Sequence, residues 1–264
     1  MIAGYIAMLA VGISLGLIGG GGSILTLPIL VYLLGIPPAE ATGYSLFIVG
    51  WAAVFGAYRY AKLGLIAYKT GFIFAAPAFL GVYLSRAFLV PALPDSIVKL
   101  ASFELTKNVL IMLVFSLMMV LAASSMIKKP KENAPEKKQI PAKYKPFLIA
   151  LEGIVVGALT GFVGAGGGFL IIPALVYFAD LDIKYAIGTS LMIIAIKSLL
   201  GFLGDIGQHT IDWGFLVVVT GISVVGIFIG SALVKYVSSA KLKKTFGWFV
   251  LVMGVFILAM QASQ

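Results

Sequence analysis

Gly12-Ile-Ser-Leu-Gly16-Leu-Ile-Gly19-Gly-Gly-Gly22 leads into Pro28, Tyr32, Ala41, Gly43 and Ser45. The second half of the chain repeats this as Gly157-Ala-Leu-Thr-Gly161-Phe-Val-Gly164-Ala-Gly-Gly167, then Pro173, Tyr177, Ala186, Gly188 and Ser190. Laid on each other without a gap, residues 12–46 and 157–191 are identical at 14 of 35 positions, at a constant offset of 145. Shared apolar composition produces scattered matches. It does not hold paired glycines, a proline and a tyrosine in one register. Hydrophobic repeats interrupted by glycine and proline point to a transporter whose site lies where the repeats meet.

Composition agrees. The chain is 61% hydrophobic and 11% charged, against about half and about a quarter for a soluble domain, and its mean hydropathy is +1.10. Apolar runs near 20 residues recur, which makes this an all-α integral membrane protein, and the short alternating strands of a barrel are missing. Residues 2–18 lack the basic flank of a signal peptide and belong to the repeat, so they count as structure. The chain has no cysteine and one histidine, His209, so neither thiolate nor multi-histidine metal chemistry is expected, and no cofactor. The net charge of +9 does not imply nucleic acid. Much of it comes from the seven lysines of residues 128–145, in a basic loop that sets orientation in the bilayer.

Apolar segments read at 1–18, 23–35, 41–58, 66–90, 97–127, 147–163, 168–179, 185–204, 213–235 and 246–262. The expected fold is two inverted repeats of about five hydrophobic segments each, with glycine-broken short helices second in each half. The first repeat covers 1–127, a basic cytoplasmic linker covers 128–146, and the second repeat covers 147–264. With the linker inside, Arg59, Lys62, Lys69, Lys235, Lys241, Lys243 and Lys244 also fall inside, while Glu40, Asp205, His209 and Asp212 fall outside. Loop 86–99, with Arg86, is read as exposed on the outer side. Both termini are then external, in the inner membrane of a prokaryote. Joining the first two segments of each half into one broken span would put the basic 235–244 loop outside, against the positive-inside rule.

The glycine runs at 19–22 and 164–168 break the helix before each short segment. If the first two segments of each half form a hairpin, the helix starts at Ser23 and Gly168 aim their N–H groups at the centre, which suits a small anion. Gly19, Gly20, Gly21, Gly22, Ser23, Gly164, Gly166, Gly167 and Gly168 are therefore candidate substrate-binding positions. Close helix packing is the competing role, and it is the expected one for Gly12, Gly16, Gly157 and Gly161. Ser45, Thr189 and Ser190, at the start of the third segments, offer hydroxyls to an oxyanion or a sodium ion, or else cap and back-bond their helices. Lys197 lies mid-membrane, where a charge costs about 2.5 kcal/mol or more on insertion scales, so it is a functional candidate by default. Its repeat counterpart is Ala52. It either holds the anion or pairs with Glu152, which is also the candidate for a proton-coupling residue.

A glycine-rich turn, a short helix with a central proline and an Ala-x-Gly-x-Ser start to the next helix, in both halves, resemble the sulfite exporter TauE/SafE family. The segment Gly201-Phe-Leu-Gly204…Ile211-Asp212-Trp213 is similar to that family as well. The resemblance implies a secondary transporter exporting a small anion, sulfite or an organosulfonate such as sulfoacetate. The expected partners are that anion and the lipid bilayer, with self-association left open and no nucleic acid. Other classes stand beside it. One is a sodium- or proton-coupled permease using Ser45, Ser190, backbone carbonyls and Glu152. A membrane hydrolase built on His209 is disfavoured by that residue's place in an outer loop. A permease subunit served by a separate ATPase is the last.

Overall fold

The computed structural model describes residues 2–100, 103–127, 145–206, 211–233 and 239–262. His209, Lys235 and linker residues 128–144 lie outside the described residues. Among those described, ten helices run α1 (Ile2–Ile18), α2 (Gly22–Leu33), α3 (Pro38–Lys62), α4 (Tyr68–Ala92), α5 (Lys107–Ile127), α6 (Lys145–Val163), α7 (Gly168–Phe178), α8 (Ile183–Asp205), α9 (Trp213–Leu233) and α10 (Ser239–Ala262). Six are long and apolar enough to cross a membrane: α3, α4, α5, α6, α8 and α9. The short α2 and α7 follow the two glycine turns. Twelve residues of α2 reach about 18 Å, well under a hydrocarbon core of about 30 Å.

One segment differs from the sequence expectation. Residues 96–100 and 103–106 are not the start of a helix but two antiparallel strands, β1 (Ser96–Leu100) and β2 (Phe103–Thr106). Lys99 pairs in register with Glu104, so the acidic residue and Lys107 do not share a helix. Apolar content alone could not separate these strands from the helix that follows, because both are rich in Leu, Val and Phe.

Small residues set the helix directions. A methyl group added to Gly12 would meet Ser223 and Gly226, and one on Gly16 would meet Ile227 and Gly230, so α1 and α9 run parallel. Gly153, Gly157 and Gly161 meet Phe74, Ala78 and Val82 in the same ascending order, so α4 and α6 run parallel too. Both pairs bring backbones together along small-residue seams, as expected where lipid removes the hydrophobic drive for association. The central pair is opposite: Gly43 abuts Asp205, Gly50 abuts Leu199, and Gly188 abuts Tyr60, so α3 and α8 are antiparallel. Over an apolar stretch of 18 residues, 67% of α3 and 72% of α8 are buried, against 39% of α9. These two helices are the axis of the bundle.

α2 doubles back on α1, since Gly4 lies on Leu34 while Gly22 lies on Ser14 and Leu15. A single broken span through α1 and α2 is therefore not what forms. The 145-residue offset also reappears in three dimensions. Gly43 on Asp205 becomes, under the offset, Gly188 on Tyr60, and both contacts exist. Ile36 N–H donates to Leu30 O and Leu181 N–H to Leu175 O, and Gly35 and Asp180 both take positive φ (73° and 51°).

One exchange shows how unlike residues do the same work. Tyr44 Oη accepts the N–H of Asp212 at 2.9 Å, and Thr189 Oγ1 accepts the N–H of Ala67 at 2.9 Å. Positions 44 and 189 are repeat counterparts, as are 67 and 212, and each donor precedes the helix that follows. Tyr44→Phe and Thr189→Val should each lower stability by about 1 kcal/mol, the net worth of one hydrogen bond. Thermal unfolding of the purified variants checks this. Loss at one position and none at the other would break the equivalence.

Candidate functional site

The two glycine turns meet. A methyl on Gly168 would land on the Gly20 backbone, and one on Gly166 would strike Ser23 and Val49. Only hydrogen side chains allow this approach. Each turn also rests on the opposite half. Gly19 (φ 72°) packs on Ile187 and Ser190 of α8, while Gly164 (φ 67°) packs on Thr42 of α3. Those two contacts are again images under the offset (19 to 164, 42 to 187). Neither turn is held in place by its own repeat alone.

Lys197, in α8, is fully buried beside the second turn. Its Nζ donates to Thr160 Oγ1 of α6 at 2.9 Å, and a methyl at Gly167 would lie 3.4 Å from that nitrogen. Thr160 in turn donates to Val156 O at 2.7 Å. Gly167 (φ 73°) precedes α7, whose first N–H groups face out of the helix as at any helix start. The Lys197 side-chain nitrogen and a helix N-terminus, with its partial positive charge, thus lie next to each other. That combination suits an anion and disfavours a cation.

The remaining candidates divide. Ser23 Oγ donates to Gly20 O at 2.6 Å within the first turn, and Ser190 Oγ to Ile187 O at 2.8 Å within α8, beside Gly19. Ser45 Oγ is buried with no partner among the described residues. Gly21 belongs to the 3₁₀ turn Gly19–Leu25, and Gly22 packs on α1. Thr189 spends its oxygen on Ala67, away from the turns. Glu152 does not pair with Lys197. It lies eight residues before Thr160 on α6, about 12 Å along the axis, and one of its carboxylate oxygens is buried without a partner among the described residues.

A second charged cluster escaped the sequence. Arg86, expected on an exposed loop, is 1% exposed and sits inside the continuation of α4. Its Nε donates to Asp205 Oδ2 at 2.9 Å, its Nη2 pairs with Asp205 Oδ1, and its Nη1 donates to Thr42 Oγ1 at 2.6 Å. Arg86 and Asp205 are 119 residues apart, so neither announces the other in a sliding window. The available signal was two lone charges of opposite sign inside apolar runs. Among the described residues no group of three metal-ligating side chains forms.

The profile of the family described as Sulfite exporter TauE/SafE matches residues 5–257. A probable membrane transporter protein of Xylella fastidiosa (strain 9a5c) is 30% identical over 94% of this chain and 91% of its own length. The probable membrane transporter protein YdhB of Bacillus subtilis is 28% identical, covering 90% of this chain and 92% of the relative. The probable membrane transporter protein MJ0441 of Methanocaldococcus jannaschii is 33% identical over 42% of this chain and 43% of its own. No solved structure matches. With a family profile running almost end to end over a helical bundle of six membrane-length helices, the chain belongs to the sulfite exporter TauE/SafE family and is a multi-pass membrane transporter.

Proposed function

We propose that this transporter exports a small oxyanion, sulfite or an organosulfonate, by alternating access between two inverted repeats. The observation that carries the reading is the fully buried Lys197 ammonium set against the Gly167 turn and the start of α7. A charge kept at that depth is costly, and an anion between it and the helix N-terminus offsets the cost. The antiparallel packing of the counterpart helices α3 and α8 supports repeats related by a two-fold axis across the bundle, hence inverted. Gly19–Ser23, Gly164, Gly166–Gly168, Ser45 and Ser190 form the surroundings of the site, and Lys197 supplies its fixed positive charge. Thr189 serves the scaffold. The linker 128–146 is cytoplasmic and both termini external, as the basic loops require. The energy comes from an ion gradient or from the gradient of the anion itself.

Thermal stability of the purified protein with sulfite, sulfate, thiosulfate, sulfoacetate, acetate and phosphate tests this. A ligand of the folded state at 100 times its Kd adds about 2.7 kcal/mol. A sulfur oxyanion should stabilise selectively, and Lys197→Ala should remove the effect. A response to sodium or pH with none to any anion would move the assignment to a cation-coupled permease in which Glu152 and Ser45 take the leading roles.

A further inference from the structure

Among the described residues the buried cations are Arg86 and Lys197. Both border the same turn, from its two ends. Lys197 reaches Thr160, which packs on Gly167, and Arg86 reaches Thr42, which packs on Gly164. Among the described residues Lys197 has no carboxylate partner, but Arg86 is held by Asp205. The pair also joins the two repeats, because Arg86 and Thr42 come from the first half and Asp205 from the second. Phe47, Phe202 and Trp213 pack edge-on over the same end of the bundle, at 5.1 to 6.2 Å between ring centres.

The opposite end is built differently. The 145-residue offset carries Arg86 to Ser231, Asp205 to Tyr60 and Thr42 to Ile187. Tyr60 occupies the matching place against Gly188, yet its hydroxyl is buried without a partner among the described residues. Ser231 donates to Phe228 O within its own helix. Phe47, Phe202 and Trp213 map to Met192, Ala57 and Tyr68. Among the described residues one end is thus closed by a two-pronged ion pair and edge-on rings, and the other by packing and the Thr189–Ala67 hydrogen bond, with no ion pair at the counterpart positions.

We propose that the Arg86–Asp205 pair is a latch between the repeats that closes this end, and that the departing oxyanion opens it by replacing the Asp205 carboxylate on the Arg86 guanidinium. The anion half of this rests on the proposed cargo; the latch half does not. A guanidinium presents parallel N–H groups to two oxygens, and a sulfur oxyanion supplies that pair of oxygens as a carboxylate does. The cargo leaves the Lys197 end of the turn, meets Arg86 at the other, and frees Asp205. Unequal closures also set the resting state. The end without the ion pair opens more readily, and under the proposed topology that end is cytoplasmic, where an exporter loads.

The chain has no cysteine, so single thiols report on each end. Ala41 and Ala186 are repeat counterparts, both fully buried, two residues before Gly43 and Gly188. Ala41→Cys and Ala186→Cys are labelled with maleimide in the purified full-length protein, with the native pair, with Asp205→Asn, and with Arg86→Gln/Asp205→Asn. Breaking the pair should speed labelling at Ala41→Cys at least tenfold and leave Ala186→Cys no faster. Unchanged labelling at Ala41→Cys overturns the latch, and so does an equal rise at both ends, which is general loosening. The charge-neutral double variant carries the comparison if Asp205→Asn does not fold. Sulfoacetate should speed labelling at Ala41→Cys with the native pair and add nothing in the double variant. A tenfold latch effect with no response to sulfoacetate overturns the anion exchange while the latch stands, so latch and cargo fail separately.

Discussion

Lys197→Met cuts anion-dependent transport by about one to two orders of magnitude at limiting anion and leaves the protein as stable as before or more so. The two effects have opposite signs for a physical reason. Methionine has nearly the length and volume of the lysine stem and carries no charge, so the buried packing survives. What disappears is an ammonium at 0% exposure with a single hydrogen bond, to Thr160, among the described residues. An unpaired charge in that position costs stability, so its removal is neutral or favourable to the fold. The anion loses a charge-assisted hydrogen bond worth about 1.5–3 kcal/mol, roughly 10- to 150-fold in affinity. Flux in reconstituted vesicles and thermal unfolding of the same preparation give both readouts. A Met variant that unfolds earlier yet transports at the native rate would make Lys197 a structural residue. Thr160→Val separates the partner from the cation: stability falls as the ammonium loses its acceptor, and transport persists at reduced rate.

The repeat was legible because its markers are backbone requirements. Gly19 and Gly164 are counterparts and both take positive φ, so the same backbone requirement marks that position in both halves. Gly20 and Gly168, which leave no room for a side chain, are marked in one half each, since their counterparts are Ala165 and Ser23. The parity of crossings followed from charge, since lysine and arginine avoid the bilayer, and the antiparallel α3–α8 pair fits it. What hid was pairwise. Thr160 looks like any helix threonine until Lys197 reaches it from 37 residues away. Arg86 looked like a loop residue because an arginine at the end of an apolar run ordinarily snorkels to water. Its burial depends on Asp205, Thr42 and the Gly43 gap that admits the guanidinium, where a methyl would lie 3.2 Å from Nη2. The Tyr44 and Thr189 equivalence was hidden by chemistry rather than distance. A phenol and a threonine share no resemblance except an acceptor oxygen, and only the two N–H groups they receive make them counterparts.

The Arg86–Asp205 pair should give the largest stability effect of any single substitution away from the glycine turns. Asp205 is 4% exposed and Arg86 1%, so removing one charge strands the other where water cannot reach it. Breaking a buried pair in this way costs about 3–5 kcal/mol, whereas replacing both partners with apolar residues of similar volume is about neutral. Asp205→Leu and Arg86→Met alone should therefore be severely destabilised, and Arg86→Met/Asp205→Leu close to native, a coupling that additive effects cannot produce. Unfolding of the four proteins in one detergent closes the cycle, and additivity within about 0.5 kcal/mol would mean that the charges are hydrated and the pair is not a buried contact. The double variant is also informative for function. It keeps the fold and the Lys197 site but removes the guanidinium that an anion would meet on leaving. If the pair only stabilised the bundle, restored stability would restore transport. A latch instead leaves the stable double variant able to bind cargo but with this end open at rest, so it loads poorly from the other side, with native ligand stabilisation and reduced flux.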